Sequence, residues 1–244
     1  MTTQQDPVIQ DIKQTADTLL GKGRWLSLHQ VQFQDPSGTQ RGWEVCRRIK
    51  PDSTNASTTT TDADATTNVP NDGSFPVDAV DIITIIKNTR NKATHVVLVT
   101  QYRPALAAYC LEFPSGLIDA GEVPQQAALR ELKEETGFSA DFGHSIRVIN
   151  VGVPVAYEPG LTGSCSRVAL IEIVMDEDDL LGPNSPLRKA KPEDDEWSLQ
   201  VLVLPLQGLY TSLLELQDKV GGPSKLVLDS RLYAWAFGRE FGYS

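Results

Sequence analysis

Residues 116–138 read GLIDAGEVPQQAALRELKEETGF. Five residues separate Gly116 from Glu122, and seven more separate Glu122 from Arg130. Pro124 suits a first helical position, where its missing N–H costs nothing. Ala127, Ala128, Leu129 and Leu132 are good helix formers, and Gly137 is placed to end the helix as a left-handed cap. The sequence therefore predicts a loop followed by a helix. On that helix Glu131, Glu134 and Glu135 fall at i, i+3 and i+4 and share one face. Carboxylates packed this way repel unless a cation neutralises them, and Arg130 is placed to hold one of them. Hard oxygen ligands on a helix suit Mg²⁺ or Mn²⁺, the ions that polyphosphate chemistry uses. A solvated acidic face is the ordinary explanation of a charge run. It accounts for three glutamates and leaves Gly116 and Glu122 unexplained.

The chain around this segment has 244 residues, 40% of them hydrophobic, and a formal net charge of −10. That length holds one large domain or two small ones with a sizeable core. The negative balance argues against a general nucleic-acid binder and against a polybasic membrane patch. A phosphate-rich substrate must then be met by local arginines and metal. Three scattered cysteines, Cys46, Cys110 and Cys165, suggest neither a zinc site nor a disulfide framework. A reducing compartment fits that usage. The opening MTTQQDPVIQ lacks a signal-peptide core and no apolar run approaches membrane-spanning length. A cytoplasmic protein is the expectation, with the nucleus left open as a second compartment.

Taken in order, residues 7–20 place Val8, Ile9, Ile12, Leu19 and Leu20 at spacings that suggest a short helix. Residues 25–33 and 41–50 alternate as strands around the turn signal Asp35-Pro36-Ser37-Gly38, which predicts a β-hairpin. It carries Trp25, Trp43, Arg41, Arg47 and Arg48. On composition alone its tryptophans read as packing. Residues 51–77 are a low-complexity Thr/Asp/Asn/Ser tract, too polar to bury surface, and are expected to form a mobile insertion. Residues 79–86, 95–101 and 109–113 are strands by their β-branched and apolar runs. Arg103 and Glu112, at strand ends, are functional candidates. His29, His95 and His144 carry no signal of a role. Beyond residue 138, residues 145–153 and 167–175 read as strands, with a loop at 157–161 between them. Residues 176–195 form a long acidic loop, expected to be a functional flap or a disordered segment. A strand over 197–204, a helix over 209–220 and a last helix capped by Asp229 complete the chain.

The segment 116–138 resembles a Nudix box, G-x5-E-x7-R-E-U-x-E-E-x-G-U with U a bulky apolar residue. Gly116, Glu122, Arg130, Glu131, Glu134, Glu135 and Gly137 fill the fixed positions, with Leu132 and Phe138 at the U positions. The order of hairpin, strands, EFPSGLIDAG (112–121), box, EPGL (158–161), flap and DSRLYAWA (229–236) is similar to the ADP-ribose pyrophosphatase branch of the Nudix hydrolases, over 25–50 and 79–238. That resemblance implies an α/β fold, an α/β/α sandwich with a mixed sheet. It also implies a homodimer in which the N-terminal hairpin crosses to the other subunit. The division it suggests is 1–50 for dimerisation and substrate clamp, 51–77 for the insertion and 78–244 for the Nudix domain. By position, Glu131 and Glu135 would bind Mg²⁺, with Mn²⁺ as a substitute, helped by the Ser115 carbonyl. Glu134 would be a further ligand or stand behind them. Trp25 of one subunit and Trp43 of the other would stack on adenine, which reverses their reading as packing. Arg48 and Arg103 would hold the diphosphate, and Glu112 and Glu158 would reach the terminal ribose. Glu196 matches the catalytic base, with Glu193, Asp194 and Asp195 as neighbours open to the same role. Ser115 stands where the branch usually has alanine, and the 51–77 tract has no counterpart there.

The implied reaction is hydrolysis of ADP-ribose, and of other ADP-sugars, to AMP and ribose 5-phosphate by metal-activated water. Arginines would grip phosphate oxygens and a carboxylate would take the proton. The alternatives are another nucleoside diphosphate derivative (an oxidised nucleotide, NADH or a different nucleotide sugar) or a binding protein that no longer hydrolyses. Complete box carboxylates weigh against the last.

Overall fold

The computed structural model describes residues 7, 9–10, 12–49, 75–142, 145–176, 180, 185–188, 190–191 and 196–242. Most of the 51–77 tract, His144 and the flap carboxylates Glu193, Asp194 and Asp195 lie outside the described residues. The chain divides into two compact units, one of Met1–Val77 with Ala156–Cys165, the other of Asp78–Val155 with Ser166–Ser244.

The first unit is a three-stranded antiparallel sheet, β1 (Lys13–Lys22), β2 (Leu26–Gln34) and β3 (Gln40–Arg48), in that order. The hairpin is as expected. The helix expected over 7–20 is not: residues 13–22 are a strand paired from Lys13↔Gln34 to Lys22↔Ser27. Local spacing suggested a helix, but ladder pairing to β2 decided the conformation, which no propensity in KQTADTLLGK announces. Polar side chains tie the three strands together. His29 lies 2.8 Å through Nδ1 from Asp17 Oδ1 and 2.9 Å through Nε2 from Ser27 Oγ. Arg47 Nη1 is 2.5 Å from Asp17 Oδ2. The loop 157–164 joins the outer edge of β3, where the Cys46 N–H donates to the Leu161 carbonyl (2.9 Å).

The second unit is built on a mixed eight-stranded sheet. Its strands are β4 (Ala79–Asn88), β5 (Thr94–Arg103), β6 (Ala108–Glu112), β7 (Ser115–Leu117), β8 (Ser145–Ala156), β9 (Cys165–Met175), β10 (Gln200–Pro205) and β11 (Leu226–Leu228). The main path runs β11-β6-β5-β4-β9-β8, with β10 on β5 and β7 on β4. Alternation along the strands sorts the apolar side chains to two faces. Val80, Ile82, Val97, Ala169, Ile171 and Ile173 pack with Ala127, Ala128 and Leu132 of α1 (Pro124–Thr136). Ile83, Val96, Leu98 and Leu111 pack with Leu209 and Leu213 of α2 (Leu209–Lys219) and Leu232 and Ala236 of α3 (Ser230–Phe241). Helices therefore cover both faces, the α/β/α arrangement that was expected. β7 and β11 were not foreseen, three residues being too few to show a period. β10 begins at Gln200 rather than 197, because a hydrogen bond from the Leu199 N–H to the Glu196 carbonyl (2.8 Å) makes 196–199 a turn. The cap on α3 is as read: Asp229 accepts from the N–H groups of Arg231 and Leu232. Among the described residues no helix is long and apolar enough to cross a membrane.

Candidate active site

The box is held where two strands part. β4 pairs with β5 through Thr84–Lys87 and with β7 through Ala79–Asp81, while β6 pairs with the far half of β5. The chain from β6 to β7 thus fills a wedge between β4 and β5. Within it the Ile82 N–H donates to the Pro114 carbonyl (2.8 Å), so the next residue faces away from β4. The Ser115 N–H donates to Glu135 Oε2 (3.1 Å) on α1. Gly116 is required by contact: a Cβ there would sit 1.9 Å from Glu131 Cδ. α1 starts at Pro124, as predicted, and Gly137 ends it at φ 78°. A Cβ on Gly137 would also meet the Pro186 carbonyl oxygen at 1.9 Å. Pro186 and Ala190 of the flap lie there, and the Lys191 N–H donates to the Glu134 carbonyl (2.8 Å).

Arg130 is the hub of the carboxylates. It grips Glu122 with two hydrogen bonds (Nε to Oε1 3.1 Å, Nη2 to Oε2 2.9 Å). It also donates to Glu131 Oε1 (2.8 Å), Glu134 Oε2 (3.1 Å) and the Leu117 carbonyl (2.8 Å). The sequence suggested that Arg130 holds one carboxylate; it holds three. Its hydrogen bonds keep Glu122 below the usual carboxylate range. The other two acids on this face move the opposite way. Burial, with repulsion from Glu134 and Glu196, outweighs Arg130 and raises Glu131 to about 7. Burial, followed by Glu196 and Glu131, raises Glu135 to about 9. Glu196 is therefore close enough to act on both. The turn that carries it is anchored by Ser198, whose Oγ accepts from the Tyr102 N–H (2.9 Å).

Arg103 and Glu112 meet each other rather than standing open. Arg103 donates through Nε to Oε1 (2.7 Å) and through Nη2 to Oε2 (2.8 Å) of Glu112. The sequence missed three supporting groups: Glu122 as the anchor of Arg130, Ser198, and the buried Asp81. Asp81 accepts from Arg231 Nη1 (2.6 Å) and Ser166 Oγ (2.5 Å), and burial raises its pKa in spite of Arg231. A lone aspartate in the apolar run AVDIITII was its signal.

The first unit gathers the other candidates. Trp25 and Trp43 are 59% and 54% exposed. The Trp43 indole N–H donates to the Gly160 carbonyl (2.9 Å), fixing its ring on the loop that carries Glu158. The Arg24 guanidinium lies 4.6 Å over the Trp25 ring. Arg48 and Glu158 are exposed, and Arg48 pairs with Leu26 across the sheet.

No group of three acidic, histidine or cysteine side chains among the described residues is arranged to grip a metal as it stands. Arg130 occupies Glu131 and Glu134, and the Ser115 N–H occupies one oxygen of Glu135. The donor chemistry does fit a hard divalent cation. The candidate ligands are all oxygens, and burial, with the neighbouring carboxylates, raises Glu131 and Glu135, so that a cation would favour their ionised forms.

The NUDIX domain family matches residues 76–211. An ADP-sugar pyrophosphatase of Mus musculus is 32% identical over 230 residues, 94% of this chain and 88% of the relative. An ADP-ribose pyrophosphatase of Saccharomyces cerevisiae is 32% identical over 164 residues, 67% of this chain and 57% of the relative. Among solved structures, an ADP compounds hydrolase superposes with a TM-score of 0.54 at 18% identity, covering 97% of this chain and 99% of that one, a likeness of fold. The chain belongs to the Nudix hydrolase family, as a pyrophosphohydrolase on its ADP-sugar and ADP-ribose pyrophosphatase branch.

Proposed function

We propose that the protein hydrolyses the diphosphate of ADP-ribose to AMP and ribose 5-phosphate, with Mg²⁺ as cofactor. The observation that carries this reading is the pair of buried glutamates, Glu131 and Glu135, raised to about 7 and about 9 beside Glu196. Three carboxylates forced together are unstable without a cation and are suited to one that brings a diphosphate with it. The match to an ADP-sugar pyrophosphatase along almost the whole chain favours an ADP-linked sugar as the substrate.

Glu131, Glu135 and the Ser115 carbonyl would hold the metal, with Glu134 as a further ligand or as the group that steadies Arg130. When bound, the ion supplies neutralisation of the diphosphate and polarisation of a phosphoryl oxygen. The protein's own groups do the rest. Glu196 takes the proton of the attacking water. Arg48 and Arg103 donate charge-assisted hydrogen bonds to phosphate oxygens. Arg103 must turn from Glu112 to do so, which frees the Glu112 carboxylate for a ribose hydroxyl, a contact shared with Glu158. Trp25 of one subunit and Trp43 of the other stack on adenine. That clamp requires a homodimer, and the exposure of Leu26 and Leu28 on β2 supports a covering partner.

The test is product analysis after incubation with ADP-ribose and Mg²⁺, against an EDTA control and a panel of nucleotide sugars, NADH and oxidised nucleotides. AMP with ribose 5-phosphate, formed only with metal, is the expected result. Metal-independent turnover, or a panel compound strongly preferred over every ADP-sugar, refutes the proposal.

A further inference from the structure

Trp197 has no place in the reading so far. The chain has four tryptophans. Trp25 and Trp43 are taken by the proposed clamp, and Trp235 packs edge-on against Phe113 at 5.6 Å. Trp197 is 74% exposed, an uncommon condition for so large an apolar side chain.

Its backbone is not free to fold the ring away. The turn closes with the Leu199 N–H on the Glu196 carbonyl (2.8 Å). Ser198 is buried and pinned by the Tyr102 N–H (2.9 Å). β10 pairs antiparallel with β5, Gln200 opposite Thr100. Carried on by two residues, that register sets Ser198 against Tyr102, the contact observed. Trp197 precedes Ser198 and Arg103 follows Tyr102, so the two flank that contact in sequence. Trp197 thus stands next in sequence to Glu196, whose charge reaches Glu131 and Glu135, and one residue from the Ser198–Tyr102 contact that adjoins Arg103 of the Arg103–Glu112 pair. An aromatic face bordered by a carboxylate and a guanidinium is the combination that holds a sugar. The ring C–H groups lie on the indole while the hydroxyls meet the charged groups.

Resting on the function proposed above, we infer that Trp197 is a specificity-determining residue that receives the sugar on the non-adenine side of the diphosphate. Removing the indole penalises substrates in proportion to what they carry there.

The test compares ADP-ribose with the methyl ester of ADP, in which a methyl group replaces the second sugar, on the wild type, Trp197→Ala and Trp197→Phe. In the kinetic arm the ratio of kcat/KM for ADP-ribose to that for the methyl ester falls about tenfold in Trp197→Ala, mostly through KM. It stays within about threefold of wild type in Trp197→Phe, which keeps an aromatic face. In the binding arm, calorimetry in EDTA shows the same fall in the ratio of affinities without any turnover. A ratio unchanged in Trp197→Ala, with both substrates weakened equally or neither, overturns the inference. A wild type that hydrolyses neither compound, with the fall still seen for Trp197→Ala in the binding arm, overturns the hydrolytic reading and supports this one. A protein that binds neither ligand overturns both.

Discussion

The substitution Glu135→Gln separates what the carboxylate does for function from what it costs the fold. Glu135 is 3% exposed and its pKa is raised from 4.5 to about 9. A carboxylate with a raised folded-state pKa keeps its proton in the folded chain while the unfolded chain ionises. The folded state therefore binds more protons between 4.5 and 9, and stability falls as pH rises through that window. From 4.5 to pH 7 the loss is about 2.5 pH units at about 1.36 kcal/mol each, about 3 kcal/mol. Glutamine keeps the shape, its carbonyl can accept the Ser115 N–H, and it does not titrate. In EDTA at pH 7 the variant should exceed wild type by about 3 kcal/mol, or about 6–12 °C in Tm for a protein of this size. At pH 5 the gap should shrink below about 1 kcal/mol. Metal closes most of that gap: at a hundredfold excess over its Kd it should add about 2.7 kcal/mol to wild type and far less to the variant, which should also lose turnover. Thermal and urea unfolding between pH 5 and 9, with and without Mg²⁺, reads all of this. A metal-free variant no more stable than wild type at pH 7, or a gain that does not change with pH, refutes the reasoning.

Other perturbations probe the supports. Gly116→Ala places a methyl group on the Glu131 carboxylate; it should cut kcat/KM by about a hundredfold or more while the urea midpoint moves little. Arg130→Lys keeps the charge and loses the fork that grips Glu122 and the Leu117 carbonyl; unfolding should show a loss of about 2 kcal/mol together with weaker metal affinity by calorimetry. Arg231→Met strands the buried Asp81 carboxylate and should cost about 3–5 kcal/mol, and adding Asp81→Asn should recover part of it by denaturant titration. In the first unit, Asp17→Ala leaves Arg47 and His29 without their shared carboxylate; limited proteolysis should then cut β1 first.

What the sequence disclosed was what lies close together along it. The box is legible because its contacts are local: Arg130 to Glu122, Glu131 and Glu134 spans eight residues at most, and Pro124 and Gly137 mark both ends of the helix. β4 and β5 were legible through their β-branched runs. The wedge that holds Ser115 was not, since it depends on β4 changing partner halfway along its length. Nor was the Asp81–Arg231 pair, 150 residues apart in sequence. Arg103 and Glu112 were read as separate ligand contacts, and only the hydrogen bonds between them show that each is the other's partner.

The sharpest departure is on β2, where alternation was read correctly and its usual meaning was inverted. Ser27 and His29 are buried while Leu26 and Leu28 are exposed. A strand normally turns its apolar side inward because nothing else repays desolvation there. Here Asp17 arrives from β1 and Arg47 from β3, so the inward polar groups are satisfied within the sheet and burial costs little. The same contacts explain why a Ser–His–Asp arrangement in this unit is not a nucleophilic site. Arg47 neutralises the aspartate, and Ser27, 9% exposed, has no open side from which a substrate approaches. Among the described residues, the leucines left outside have no such compensation. Their exposure is the physical reason to seek a covering surface over the strands that present Trp25 and Trp43.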